Sequence, residues 1–240
     1  MRLDLAVAEA GLADSPQKAQ ALIMAGKVKV NQETVRRPDR QVDAADTVEI
    51  ADADGYASRG ALKLIPALDS FAIDVTGRVC ADIGAATGGF TDVLLRRGAR
   101  RVFAVDVGRG LIDWRLRGDP RVTLMERTNA RELRTFPEPV SLATVDLSFI
   151  GLEKVLPALR RAAPEAAVVA LFKPQFQVSR DRVEKGGLVR DAEAVEAALG
   201  SFIQWCESNG YRVRGRAPAG VAGRAGNQEH FVHLEPGLQP

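Results

Sequence analysis

The chain reads as an α/β protein, a mostly parallel, doubly wound seven-stranded sheet with a small α+β domain in front. Three observations predict this. From residue 59 onward, short apolar runs alternate with helical patterns, the signature of parallel strands joined by right-handed crossovers. The first run, Arg78-Val79-Cys80-Ala81, feeds Asp82 into a glycine-rich turn, and a helix starts at Phe90. That strand, turn and helix form the first βα unit of a nucleotide-type site. The texture also changes near residue 50, which places domains at 1–50 and 59–240 with a small, acidic linker at 51–58.

In the first domain, Leu3, Leu5, Val7, Ala8 and Leu12 precede a helical run from Gln17 to Ala25. Ser15 is its expected N-cap, Pro16 its first helical residue and Gly26 its stop. Lys27-Val28-Lys29-Val30-Asn31 alternates cation and valine, a half-buried strand. Val42 and Val48-Glu49-Ile50 are expected as further short strands. In the second domain, strands are expected at Val79–Asp82, Val102–Asp106, Val122–Met125, Leu142–Asp146, Ala167–Phe172, Tyr211–Arg216 and His230–Leu234. The clearest helices are 89–97, 152–162 and 192–209, the last capped by Asp191.

Bulk properties exclude several classes. With 240 residues and 46% hydrophobic content, the chain fills one large and one small core. No apolar run approaches the ~20 residues of a membrane span, and the N-terminus lacks the layout of a signal peptide, so a cytoplasmic protein is expected. Cys80 and Cys206 have no metal-ligand spacing, and no metal site is expected. A net charge of only +2 means that any nucleic-acid contact rests on local clusters.

The turn reads D-x-G-x-x-x-G-G, not the G-x-G-x-x-G that admits a pyrophosphate. Asp82, just before it, repels a pyrophosphate and attracts a cation. S-adenosylmethionine, with its sulfonium and ammonium, suits that charge. Gly84, Ala85, Thr87, Gly88, Gly89 and Phe90 are the expected cradle. Asp106, followed by Val107, ends the next strand about 20 residues on, where a carboxylate accepts from ribose hydroxyls. Asn129 and Ala130 follow the third strand, at the place of an adenine edge. NAD competes for the same features, but no His or Tyr acid for hydride transfer stands in a suitable place.

Ligands collect at the carboxyl ends of such strands, where Asp146 and Lys173 also fall. Lys173 is a lysine half desolvated by apolar neighbours. Arg59 and Lys63 are spaced i,i+4 and would repel on one helical face by roughly 0.2–0.5 kcal/mol unless an anion such as phosphate bridges them. Glu229 begins the last strand. Two acids and two bases are thus expected at one edge of the sheet. Beside them, the charged stretch 177–190 carries Arg180, Arg182 and Lys185 around a Gly-Gly pair, read either as an RNA-clamping loop or as a disordered surface loop.

Arg2-Leu3-Asp4, Gly11-Leu12-Ala13-Asp14-Ser15, Leu22 to Asn31 and Asp46-Thr47-Val48 resemble the S4 RNA-binding fold, which implies structured RNA as partner, ribosomal RNA above all. Arg2, Lys18, Lys27, Lys29, Arg36 and Arg37, with Arg59 in the second domain, are the expected phosphate contacts. Pro16-Gln17 and Gln32 depart from the pattern, the first removing an expected phosphate contact.

Lys63, Asp146, Lys173 and Glu229 resemble the Lys-Asp-Lys-Glu tetrad of FtsJ/RrmJ-like RNA 2′-O-methyltransferases, and the fused S4-like domain makes the chain similar to the TlyA/hemolysin A family. Ala81 to Thr91, Val145 to Ile150, Lys173 to Phe176 and Gly226 to Glu229 are family-like segments. Ala61 is a small departure, where the family often has Gly. The resemblance implies a class I methyltransferase fold and S-adenosylmethionine-dependent methylation of a cytidine 2′-OH in rRNA. It also implies the large subunit, from the chain's start directly at the S4-like segment. The alternatives are a catalytically degenerate RNA-binding assembly factor and, at greater remove, a hemolysin.

Overall fold

The computed structural model describes every residue except Gly11, Asp14, Gln32, Ala44, 51–54, Arg224 and 238–240. It divides into two units, Met1–Gly55 and Tyr56–Pro240.

In the first unit, α1 (Leu3–Glu9) and α2 (Pro16–Met24) pack on an antiparallel sheet of β1 (Val28–Val30), β2 (Glu33–Val35) and β3 (Val48–Ile50), ordered β2-β1-β3. Ser15 caps α2 by accepting from the Lys18 backbone N–H at 3.2 Å, and Pro16 follows it. Leu3, Val7, Ala19, Ile23, Val28 and Val30 are fully buried and form the core. Two expectations fail here. Strand β2 was not anticipated, because Glu33 and Thr34 are exposed and only Val35 is buried. Val42 is no strand; it is buried, and its carbonyl accepts the Met1 ammonium at 2.9 Å.

The expected linker lies partly outside the described residues, at 51–54, as do Gly11, Asp14 and the departure at Gln32. Its last residues belong to the second unit. Ala57 is fully buried and donates its N–H to Asp92 at 2.8 Å, and the Arg96 guanidinium lies 4.1 Å over the Tyr56 ring.

The second unit holds β4 (Val79–Ile83), β5 (Arg101–Val105), β6 (Val122–Met125), β7 (Leu142–Val145), β8 (Ala167–Phe172), β9 (Tyr211–Pro218) and β10 (His230–Pro236). They make one sheet ordered β6-β5-β4-β7-β8-β10-β9. The first five are parallel, and β10 inserts antiparallel between β8 and β9. Helices α3 (Ala61–Ser70) and α4 (Gly89–Arg96) cover one face with Leu64, Leu68, Val93 and Leu94. On the other face, α6 (Leu156–Ala162) and α7 (Ala192–Ser208) bring Leu156, Leu159 and Phe202 against Phe103 and Phe172. A short α5 spans Trp114–Arg117, and Asp191 caps α7 through the Ala194 N–H at 2.9 Å.

The helix expected at 152–162 is interrupted. Residues Leu152–Lys154 form a 3-10 turn, and α6 starts only at Leu156. Pro157 lacks an N–H and is tolerated in a first helical turn but not in an interior, so the helix restarts just ahead of it. Among the described residues, no helix is long and apolar enough to cross a membrane.

Candidate active site

Strand β4 runs into Gly84 at φ +85°, the first residue of the turn, where a Cβ would come within 2.2 Å of the Asp146 carbonyl oxygen. Only glycine lets the ends of β4 and β7 converge this closely. Across the turn, the Asp106 carboxylate accepts from the N–H groups of Ala86 at 2.9 Å and Gly108 at 2.7 Å. A carboxylate has about four acceptor positions, so Asp106 keeps capacity for a vicinal diol. A hollow of about 360 Å³ opens beside it, lined by Val107, Asn129, Ala130, Leu147 and Ile150 among others. Gly84 also lines a second, smaller hollow with Ser58, Gly60, Thr87, Phe90 and Asp146. The pair of hollows fits an elongated ligand with a flat apolar end and a charged end.

Two cofactor expectations need correction. Asp82 lines the smaller hollow as expected, but its carboxylate is closed over by hydroxyls and not open to a cation. It is 1% exposed, and its oxygens accept the hydroxyls of Thr91 at 2.7 Å and Thr144 at 3.1 Å. It thereby fastens α4 to β7 under the turn. Asn129 spends its side chain on its own turn, accepting from Arg131 N–H at 3.1 Å and donating to Glu132 at 3.0 Å. Only the remainder of that residue is left to line the hollow.

Burial pushes the Asp82 carboxyl up to about 6, against 3.8 for an ordinary aspartate. The folded chain therefore holds this proton more tightly than the unfolded chain, and the group's contribution to stability is full below about pH 4 and lost as pH rises through about 6. Replacing Asp82 with Asn is expected to remove that decline, which reaches roughly 3 kcal/mol. Urea unfolding of both proteins between pH 4 and 7 checks this; parallel curves would refute it.

Two ion pairs stand at the same sheet edge. Lys63, in the first turn of α3, places Nζ 2.6 Å from Glu229 Oε2, with side chains 15% and 2% exposed. Lys173, just after β8, places Nζ 2.5 Å from Asp146 Oδ1 and donates to Ser148 Oγ at 3.2 Å. His230 on β10 pairs with Phe172 on β8. One further step in that antiparallel register sets Glu229 opposite Lys173. Gly223 makes room, since a Cβ there would meet Glu229 Oε1 at 2.4 Å. Breaking either buried pair on one side leaves an uncompensated charge.

Arg59 does not share a helical face with Lys63. It precedes α3, whose cap is Gly60, and Lys63 finds its counter-charge in Glu229.

Several participants escaped the sequence reading. Asn227 is 3% exposed; its amide donates to Gln175 Oε1 at 3.0 Å and Gly187 O at 2.7 Å, and its oxygen accepts from Val189 N–H at 2.8 Å. It joins the Lys173 segment, the charged stretch 177–190 and the turn before Glu229. That stretch is built: Glu184 pairs with Arg190 at 3.1 Å, and Arg182 pairs with Asp191. Arg180 and Lys185 stay exposed. Phe149 has φ +65°, is 91% exposed and lies 5.2 Å from the Phe176 ring. An exposed aromatic on a strained backbone is visible only in three dimensions. Asn227, within Gly-Asn-Gln-Glu, had a sequence signal in its neighbour Glu229.

In the first unit, Lys29 lies between buried Val28 and Val30 and so faces away from the core. Arg2 is held by Asp4 through bonds of 3.0 and 2.7 Å, and this guanidinium keeps the Asp4 carboxyl at about 2. Arg37 pairs with Asp39 at 2.8 Å, and the Arg36 guanidinium lies against Gly26. Lys18 and Lys27 are partly buried.

The sheet order, with its last strand inserted antiparallel and its glycine turn at the end of the central strand, defines a methyltransferase-type α/β domain. A family model described as FtsJ-like methyltransferase matches residues 56–235, and one described as S4 domain matches 1–48. The chain belongs to the FtsJ-like methyltransferase family, with an S4 domain at its N-terminus. It is 43% identical over 240 residues to the 16S/23S rRNA (cytidine-2′-O)-methyltransferase TlyA of Mycobacterium tuberculosis, covering 97% of this chain and 89% of that protein. It is 37% identical over 238 residues to Hemolysin A of Brachyspira hyodysenteriae, covering 98% and 99%. A solved structure from Streptococcus thermophilus, named for a hemolysin, superposes with a TM-score of 0.78 at 37% identity, covering 100% of this chain and 90% of that one.

Proposed function

We propose that the chain is an S-adenosylmethionine-dependent rRNA (cytidine-2′-O)-methyltransferase. The observation that carries the reading is the double ion pair Lys173–Asp146 and Lys63–Glu229 beside two hollows that share Gly84 at one sheet edge. Val107, Ala130 and Ile150 would hold the adenine end, Asp106 the ribose, and the hollow of Ser58, Gly60 and Thr87 the amino-acid end. When bound, the cofactor supplies an already activated methyl group. The chain must then align the ribose oxygen, worth ~7–11 kcal/mol in a well-oriented site, and manage its proton. Lys173 Nζ, held by Asp146 and Ser148, would face the attacking oxygen: as the O–C bond forms and the S–C bond breaks, it either takes the 2′-OH proton itself or stabilises the developing charge while water takes the proton. Lys63 and Glu229 hold the ribose and the charges around it. Exposed Phe149, at the rim, offers a ring face to the target base.

Large-subunit RNA is the preferred substrate. The Mycobacterium relative is named for 16S and 23S rRNA, a Campylobacter jejuni relative, 35% identical over 181 residues, for 23S alone, and 23S is common to both. Incubation with labelled cofactor and rRNA of each subunit from cells lacking the gene, followed by 2′-O-methyl mapping, tests the reading. A new 2′-O-methylcytidine in large-subunit RNA is expected, and no label, or label on a base, would refute it. Asp106→Ala is expected to weaken cofactor binding about 10- to 100-fold, from loss of hydrogen bonds to a charged acceptor. Calorimetry checks this, an unchanged affinity removing Asp106 from the site.

A further inference from the structure

Away from the ion pairs, three surface hollows follow one another on the second unit: Arg131 of the first adjoins Glu132 of the next in sequence, and Arg161 is common to the second and third. The first is the hollow of about 360 Å³ already described, whose far side carries Arg131. The next is lined by Glu132, Leu133, Arg134 and Arg161. Arg161 also lines the third, of about 370 Å³, with Arg160, Trp205, Asn209 and Tyr211 among its walls. This third hollow sits at the start of β9, the sheet edge opposite Glu229, because Tyr211 pairs with Pro236 at the far end of β10.

The charges along this flank are unbalanced. Arg131, Arg134 and Arg161 are exposed, and no ion pair engages them among the described residues. The middle hollow holds one carboxylate, Glu132, which keeps its charge while accepting the Asn129 amide at 3.0 Å, against two arginines, Arg134 and Arg161. On the opposite face of the sheet, by contrast, Arg97 is paired with Asp69 at 2.7 Å; Arg100 and Arg101 are paired with Glu138 at 2.6 Å each. The third hollow adds aromatic surface. The Arg160 guanidinium lies 5.1 Å from the Tyr211 ring centroid, and Trp205 stacks on Phe202 at 6.4 Å. Arg160 donates Nη2 to Gly237 O at 3.3 Å, while its Nη1 is buried with no partner among the described residues. A buried guanidinium nitrogen without an acceptor is costly. Cations in the last turn of α6 suit its dipole, which accounts for Arg160 and Arg161 but not for Arg131 and Arg134.

We infer that this flank is a second RNA-binding track of the catalytic domain, with phosphates on Arg131, Arg134 and Arg161 and a base against the partly exposed Trp205. It rests on the reading of rRNA as substrate. Arginines spaced along a surface and ending at aromatic rings are what an RNA strand takes, phosphates fixing position and rings stacking bases. The track carries RNA from the cofactor edge around to the opposite edge of the sheet.

The test is binding of protein-free large-subunit rRNA and of assembled large subunits, measured against salt concentration. Arg134→Gln combined with Arg161→Gln is expected to flatten the slope of log K against log salt by about 1.5 and to weaken binding roughly tenfold. Cofactor affinity should not change. Arg97→Gln combined with Arg100→Gln removes the same charge from the other flank and is expected to leave the slope unchanged. Trp205→Leu should weaken binding while leaving the slope intact. The track is overturned if both double variants lose affinity equally, since the effect is then one of net charge. It is also overturned if only assembled subunits bind less well, since the contact is then with ribosomal protein. Methyl transfer by the wild type is measured alongside: its absence refutes the functional reading, whereas transfer with unaltered binding by Arg134→Gln/Arg161→Gln refutes the track alone.

Discussion

Lys173→Ala is expected to bind S-adenosylmethionine with affinity close to that of the wild type while methyl transfer falls about 10³-fold. The size follows from losing a preorganised donor aimed at a developing oxyanion, together with any share of proton transfer. Lys173 touches Asp146 and Ser148, which line the smaller and larger hollow respectively, but Lys173 itself lines neither. Binding and chemistry are therefore separable. Lys173→Arg should restore little, because a planar guanidinium cannot occupy the place of a compact ammonium between Asp146 and Ser148. Single-turnover transfer to rRNA, paired with calorimetry, makes the measurement. Transfer within tenfold of wild type would remove Lys173 from the mechanism.

Gly84→Ala should damage both stability and cofactor binding. Its φ of +85° costs a side chain roughly 1–2 kcal/mol, and the new Cβ would sit 2.2 Å from the Asp146 carbonyl, a backbone atom that cannot swing aside. Gly77 provides an internal reference, with φ +70° and nothing within 4 Å of its added Cβ. Gly77→Ala should show the backbone cost alone. The Gly84 variant should melt several degrees lower than that, at about 2–4 °C per kcal/mol for a domain of this size, and should bind cofactor at least about tenfold more weakly. Equal melting temperatures would show that the close approach of β4 and β7 carries no weight.

All seven strands of the large sheet were legible in the sequence, their ends displaced by at most two residues. Parallel strands buried on both faces are near-continuous apolar runs bounded by turns, and Val79–Ile83 and Ala167–Phe172 are of this kind. The caps at Ser15 and Asp191 were legible because capping is local chemistry. Strand β2 was not, because a three-residue strand with two exposed positions has no alternation to read. Nor was the break at Val155, where Pro157 competes with an otherwise helical pattern. For the site, the residue types at the sheet edge were legible, but their partners were not. Lys63 and Glu229 stand 166 positions apart, and spacing alone favoured Arg59 as the neighbour of Lys63. Asp82 was misjudged because sequence places a residue on a strand without saying that two threonines, one from α4 and one from β7, close over it.

The insertion of β10 between β8 and β9 makes activity a late event in the life of the chain. Every other member of the two ion pairs precedes β9, but Glu229 immediately precedes β10, the strand that threads last into an interior slot of the sheet. While the polypeptide is still emerging from a ribosome, Lys63 has no counter-charge and the floor opposite Lys173 is open. The RNA-recognition domain is synthesised first and the catalytic edge is completed last. A nascent chain can therefore meet RNA before it is able to mark it.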